Sequence, residues 1–133
     1  MIKLATSVRN ARLQAIADAM SAGAGQGTLT LYAGDLPAQN GGTPPGQALV
    51  TIDLPDPLVE SLDGGILTLA TFPEAMATVE GLATWGRIQD GDGAWVMDVD
   101  VGEEGSGATI VISTTYLYAG VLVGIDTAVF AEP

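Results

Sequence analysis

The 133-residue chain contains no cysteine and no histidine. Without Cys there can be neither disulfides nor thiolate metal sites. Without His the commonest general base and the commonest transition-metal ligand are both missing. Positive charge is almost as scarce. Four Lys and Arg stand against 16 Asp and Glu, a net charge of −12. Three of the four cations, Lys3, Arg9 and Arg12, fall in the first dozen positions. From Leu13 onward only Arg87 opposes all 16 acids, a balance of −15. Such a body argues against nucleic acid as a partner and keeps the chain soluble by self-repulsion. The basic first segment suits an acidic partner, another copy of this chain included. No run approaches the roughly 20 apolar residues of a membrane span. Lys3 and Arg9 bracket too short an apolar stretch for a secretion signal. No membrane partner is expected.

What is present is a strand-forming chain. Hydrophobic residues make up 47%, and 18 Gly and 7 Pro punctuate short alternating runs. The organising stretch is Leu82 to Gly102. Two alternating runs flank Asp90-Gly91-Asp92-Gly93, whose residue types suit a hairpin turn. In the second run Trp95, Met97, Val99 and Val101 share one face, and Asp98 and Asp100 share the other. Further strands are expected at 28–34, 47–54, 65–71, 108–115 and 121–130. Residues 35–46 and 55–65 read as loops, the latter with a helical turn near Leu58 to Leu62. The expected fold is mainly β: an antiparallel β-sandwich, jelly-roll or Ig-like, of about seven to eight strands with one N-terminal α-helix. Residues 1–25 form the helical segment with its Gly-rich joint, and residues 26–133 form the sandwich domain.

Residues 4–22 carry the helix pattern, with Thr6 or Ser7 as its cap, and Gly23-Ala24-Gly25 stops it. Leu4, Val8, Ala11, Ala15 and Ala19 form a flat small-residue face. Leu13, Ile16 and Met20 form a bulkier one beside it. An apolar arc about twice the width that a surface helix needs has two readings. Either the helix is well buried in its own domain, or one face packs on the home sheet and the other on a neighbouring subunit. On the second reading the interface residues are Leu4, Val8, Arg9, Arg12, Leu13, Ile16 and Met20.

Chemistry is sparse. Asp90, Asp92, Asp98, Asp100, Glu103 and Glu104 cluster in sequence. Asp90 and Asp92 open like a calcium loop, but position 101, where the bidentate Glu belongs, is Val. Hairpin-turn chemistry explains the same residues. Asp98 and Asp100 lie two apart on one strand face, within reach of a glycosidase-type pair, yet no acid–base partner accompanies them. Gly23 to Gly27 follows a helix and precedes a strand, the reverse of a dinucleotide fingerprint. Trp85 and Trp95 read as sandwich core. No catalytic residue and no cofactor is expected.

The opening Lys3 to Ala38, with Leu4-Ala5-Thr6-Ser7-Val8-Arg9-Asn10-Ala11-Arg12-Leu13, a Gly-rich joint, Leu29-Thr30-Leu31-Tyr32-Ala33-Gly34 and then Pro37, resembles a family of small virion structural proteins of tailed phages and prophages. Gly65-Ile66-Leu67-Thr68-Leu69 and Gly81 to Ile88 before an Asp/Gly turn extend the resemblance. The Pro-rich loops at 43–45 and 55–57 depart from it. The resemblance implies a non-enzymatic structural protein of the virion, assembled in the bacterial host cytoplasm. A capsid decoration or cement protein comes first, and a tail, neck or tail-fibre component second. Its partners would be further copies of itself, with a trimer favoured, and the major capsid protein or another virion protein. The rival classes are a calcium- or carbohydrate-binding β-sandwich module and a carboxylate hydrolase.

Overall fold

The computed structural model describes residues 2–131. One helix, α1 (Thr6–Met20), precedes eleven strands. In chain order these are β1 (Thr28–Ala33), β2 (Ala48–Asp53), β3 (Val59–Asp63), β4 (Ile66–Leu69), β5 (Ala75–Met76), β6 (Gly81–Gln89), β7 (Trp95–Gly102), β8 (Ile110–Ile112), β9 (Tyr116–Leu117), β10 (Leu122–Val123) and β11 (Ile125–Ala131). Eight of them form one curled sheet in the order β2-β1-β6-β7-β8-β11-β4-β3, β9 pairs with β6, and β5 with β10 makes a separate ribbon. The mainly β, sandwich-like fold with one helix is the expected one. One pairing departs from an all-antiparallel sheet: β7 and β8 run parallel, with Val101 opposite Ile110.

Alternation decides which face is inside. On β1, Leu29 and Leu31 are fully buried. Opposite them lie Ile52 and Val50 of β2, and Ile88 and Gly86 of β6. Leu67, Ile110, Ile112, Ala128 and Phe130 from the other half of the sheet join the same hydrophobic cluster. The sequence predicts a loop over β3 because Pro55 and Pro57 precede it and its residues show no apolar alternation. It is the last strand of the sheet, and most of its side chains are exposed. An edge strand of that kind has little burial to write into its sequence.

The helix is shorter than expected and has a different cap. Ala5 occupies the cap position with extended backbone and makes no side-chain cap bond. The Thr6 hydroxyl instead accepts a hydrogen bond from Arg9 Nη2 at 3.0 Å. Leu13, Ala17 and Met20 face the core. Burying side chains of Leu and Met size contributes about 1.5–3 kcal/mol each. Asn10 Oδ1 accepts the Gly65 backbone N–H at 2.8 Å, tying the start of the helix to the β3–β4 turn.

The Gly-rich stretch after the helix, which by composition predicts a flexible joint, is a packed seam. Gly25 N–H donates to the Gly91 carbonyl at 3.2 Å, and Gly91 N–H donates to the Ala22 carbonyl at 2.8 Å. Ala24 N–H donates to Asp92 Oδ1 at 3.2 Å. A Cβ on Gly91 would collide with the Gly25 carbonyl oxygen, and a Cβ on Gly25 would lie 2.8 Å from the Gly91 oxygen. Neither glycine has a positive φ. Close backbone approach, not conformational freedom, is what these two positions require.

Candidate interaction surface

The β6–β7 hairpin holds four of the sequence-predicted carboxylates, Asp90, Asp92, Asp98 and Asp100, and each of these four accepts a hydrogen bond. Asp90 Oδ1 accepts the N–H groups of Asp92 and Ala94, both at 2.9 Å, which closes the turn. Asp92 serves the glycine seam. Asp98 accepts from Arg87 through both oxygens, at 2.8 and 3.1 Å, and from Trp95 Nε1 at 3.0 Å. Asp100 Oδ1 accepts the Thr109 N–H at 3.3 Å. Among the described residues no three His, Cys, Asp or Glu side chains gather where an ion could sit. Asp90 and Asp92 are thus built into turn and seam geometry, and Asp98 and Asp100 into a structural network.

Arg87 is the centre of that network. It is 8% exposed, and its guanidinium carbon lies 5.5 Å from the centroid of the Trp85 ring. The bidentate hydrogen bonds to Asp98 push its pKa further up, against the opposing effect of burial. Trp85 stacks on Tyr32 at 4.5 Å between centroids. Its Nε1 is buried without a partner. Trp85 is core, as expected. Trp95 is not: it is 43% exposed. The register explains the difference. Ile88 pairs with Met97 but Gln89 pairs with Trp95, so a bulge inserts one residue. That insertion turns Trp95 from the Met97 face to the face of Arg87 and Asp98.

The interface residues expected on the helix divide. Leu13 and Met20 are each 1% exposed and belong to the chain's own core, so they cannot meet a partner. Ile16 is half-buried against the same core. Arg9 folds back, its guanidinium covering Gly65. Leu4 is half-buried, Arg12 is exposed, and Val8 is 45% exposed. Ala11, Ala15 and Ala19 are exposed as well. The flat face therefore stays open while the bulky face packs on the home fold.

A second exposed apolar surface has no counterpart in the sequence pattern. Leu82 and Tyr116 are opposed across β6 and β9, and Met76 and Leu122 across β5 and β10. Tyr116 and Tyr118 meet ring to ring at 5.0 Å. Tyr116, Tyr118, Val121 and Leu122 line a shallow cleft of about 230 Å³. These six side chains are 41–58% exposed. Large apolar side chains left uncovered together mark a docking surface on a monomer. Acids rim the patch. Glu80 accepts the Tyr116 hydroxyl at 2.7 Å and holds the phenol pKa above its usual value. Glu103 accepts both the N–H and the hydroxyl of Thr115 at 3.0 Å, which lowers its own pKa. Glu74 lies against Gly124. The segment 116–120 reads as a turn because β9, the strand within it, is only two residues long. The available signal was four large apolar side chains, Tyr116, Tyr118, Val121 and Leu122, in a stretch too short to bury them.

Among the described residues no helix is long and apolar enough to cross a membrane. No protein-family model matches the chain, and no curated protein or solved structure does either.

Proposed function

We propose that this chain is a non-enzymatic structural protein of a bacteriophage particle, and specifically a decoration or cement protein of the capsid. The observation that carries this reading is the acid-rimmed tyrosine patch. A soluble, strongly acidic protein leaves about six large apolar side chains uncovered together, and such surfaces mark docking sites. The carboxylates that would have to perform hydrolysis or hold calcium accept hydrogen bonds from their own fold. The resemblance of Lys3 to Ala38 to phage virion proteins supplies the setting. Decoration of a lattice asks for a stable body, a docking surface and association with further copies, a trimer being the favoured form.

Quantitative mass spectrometry of particles purified by density gradient tests this. A decoration protein is present at the copy number of the capsid's lattice sites. A handful of copies per particle moves the protein to the tail, neck or fibre. Its absence from purified particles overturns the reading.

A further inference from the structure

We propose that the cleft beside Trp95 binds a neutral sugar ring, with the exposed indole as its platform. The site is separate from the tyrosine patch and stands whether or not the patch docks on a capsid.

The loop between β1 and β2 is longer than the topology requires. Its strands are antiparallel neighbours, which a two-residue turn can join. The connection instead runs from Gly34 to Gln47 without a helix or strand of its own. Loops of that length in a compact domain usually serve binding. This one lies over the start of β7. A Cβ on Gly41 would come within 3.0 Å of Trp95 Cε3 and 3.2 Å of Trp95 Cδ2, so the loop backbone rests on the indole. Between loop and strand lies a cleft of about 320 Å³, in the size class of small-ligand sites. Leu36, Pro37, Gln39 and Asn40 line it from the loop, and Trp95 and Asp98 from β7.

Trp95 is held in place and is still uncovered. The bulge at Gln89 turns it outward, and bulges recur where a side chain is re-aimed at a site. Its Nε1 donates to Asp98 Oδ1 at 3.0 Å. Asp98 is held in turn by Arg87. A ring fixed in this way has little conformational freedom left to lose on binding. Yet Trp95 keeps 43% of its surface open, and Leu36 keeps 56%. Because Nε1 is already bonded, the indole offers a ligand its apolar surface rather than a donor.

The polar groups select the ligand. Gln39 and Asn40 are exposed, and neither side chain makes a hydrogen bond among the described residues. Each amide carries donors and an acceptor, which suits hydroxyl groups, since those also both give and accept. Asp98 is the only charged residue of the lining, and Arg87 neutralises it at 2.8 Å. An anion therefore finds no cation in the cleft, and a cation finds no free carboxylate. What fits is a neutral molecule with a flat apolar face and hydroxyls around its edge. A pyranose ring has that form: its C–H bonds meet the electron-rich face of an indole, and its hydroxyls reach the amides. A proline-rich peptide fits less well. That mode uses a groove of aromatic side chains, and Trp95 is the one aromatic residue of this lining. The cleft also lies far from the patch. Gln89, paired with Trp95, is seven residues along β6 from Leu82, about 23 Å. A sugar in the cleft leaves the patch free.

The test is saturation-transfer NMR on the full chain with four neutral trisaccharides: maltotriose, cellotriose, mannotriose and tri-N-acetylchitotriose. At least one is expected to bind with a Kd of about 1 mM, as befits a single aromatic platform. Trp95→Ala should abolish the signal and Trp95→Phe should keep part of it, with circular dichroism confirming each fold. Gln39→Ala and Asn40→Ala break no hydrogen bond of the chain's own. Each should weaken binding by about fivefold, the worth of one hydrogen bond. Leu122→Asp, in the tyrosine patch, should bind as the wild type does. Silence from all four sugars at about 10 mM, ten times the expected Kd, would overturn the proposal. So would binding that survives both Trp95→Ala and the paired amide substitutions, or binding lost in Leu122→Asp. Tighter binding of the anionic trisaccharide sialyllactose, or of a proline-rich peptide, would overturn the assignment to a neutral sugar.

Discussion

Adding a single methyl group at Gly91 should destabilise the fold far more than its half-buried place in a turn suggests. The Cβ of Gly91→Ala would overlap the Gly25 carbonyl oxygen, and the atoms around it are backbone, which cannot rotate away. Relief requires the two segments to separate. That weakens the Gly25–Gly91 and Gly91–Ala22 hydrogen bonds, worth about 1 kcal/mol each. The remaining overlap adds about 1–2 kcal/mol, at the lower end of overpacking costs. The sum is about 3 kcal/mol. For 133 residues the unfolding entropy near the midpoint is about 0.28 kcal/mol/K, so Tm should fall by about 10 °C. Gly93→Ala is the control. Gly93 has a φ of 81° and nothing within 4 Å of a built Cβ. Only the left-handed backbone is penalised there, by about 1 kcal/mol, or about 4 °C. Calorimetric or circular-dichroism melting of both variants decides the matter. If Gly91→Ala melts no lower than Gly93→Ala, the seam is not the close-packed contact described.

Removing the Arg87 charge should be costly unless its partner goes too. Arg87→Met leaves the half-buried Asp98 with only Trp95 as a donor and should lose about 3 kcal/mol in urea unfolding. Arg87→Met with Asp98→Val should lose clearly less than the single variant. On the helix, Leu13→Ala should cost about 3 kcal/mol, while Val8→Ala, at an exposed position, should stay within about 0.5 kcal/mol. Equal losses would mean that the helix packs by a different face. Acid should destabilise the β8–β9 region first through Glu103. Its lowered folded pKa means that its contribution is present above the ordinary Glu value of about 4.3 and is lost as pH falls through the folded value. Glu103→Gln should flatten that part of the stability–pH curve, and an unchanged acid limb would rule the bond out.

How far the sequence reveals the structure depends on where the burial lies. The hairpin of β6 and β7 was legible because Ile88, Val99 and Val101 alternate with polar partners and Asp/Gly marks the turn. The bulky helix face was legible for the same reason. Leu13 and Met20 meet the core at helical spacing. The glycine seam was not, because contact between Gly25 and Gly91 is made by backbone atoms and leaves no side-chain pattern. Trp95 departs from the expected core position because one inserted residue reverses the alternation, and nothing in the residues announces a bulge. The tyrosine patch escaped notice because two-residue strands carry no periodicity, and only the tertiary fold brings Met76 and Leu82 to Tyr116 and Leu122. The exposed tyrosine patch was therefore the least legible feature of the chain.

The most direct test is rebinding to particles assembled without this protein. Purified wild-type chain and Leu122→Asp are titrated onto such particles, and bound copies are counted after sedimentation. A patch-docked decoration protein predicts saturable binding of the wild type at lattice stoichiometry and loss of binding by Leu122→Asp with its Tm unchanged. A wild type that ignores the particles, or a Leu122→Asp variant that binds them equally well, would contradict it.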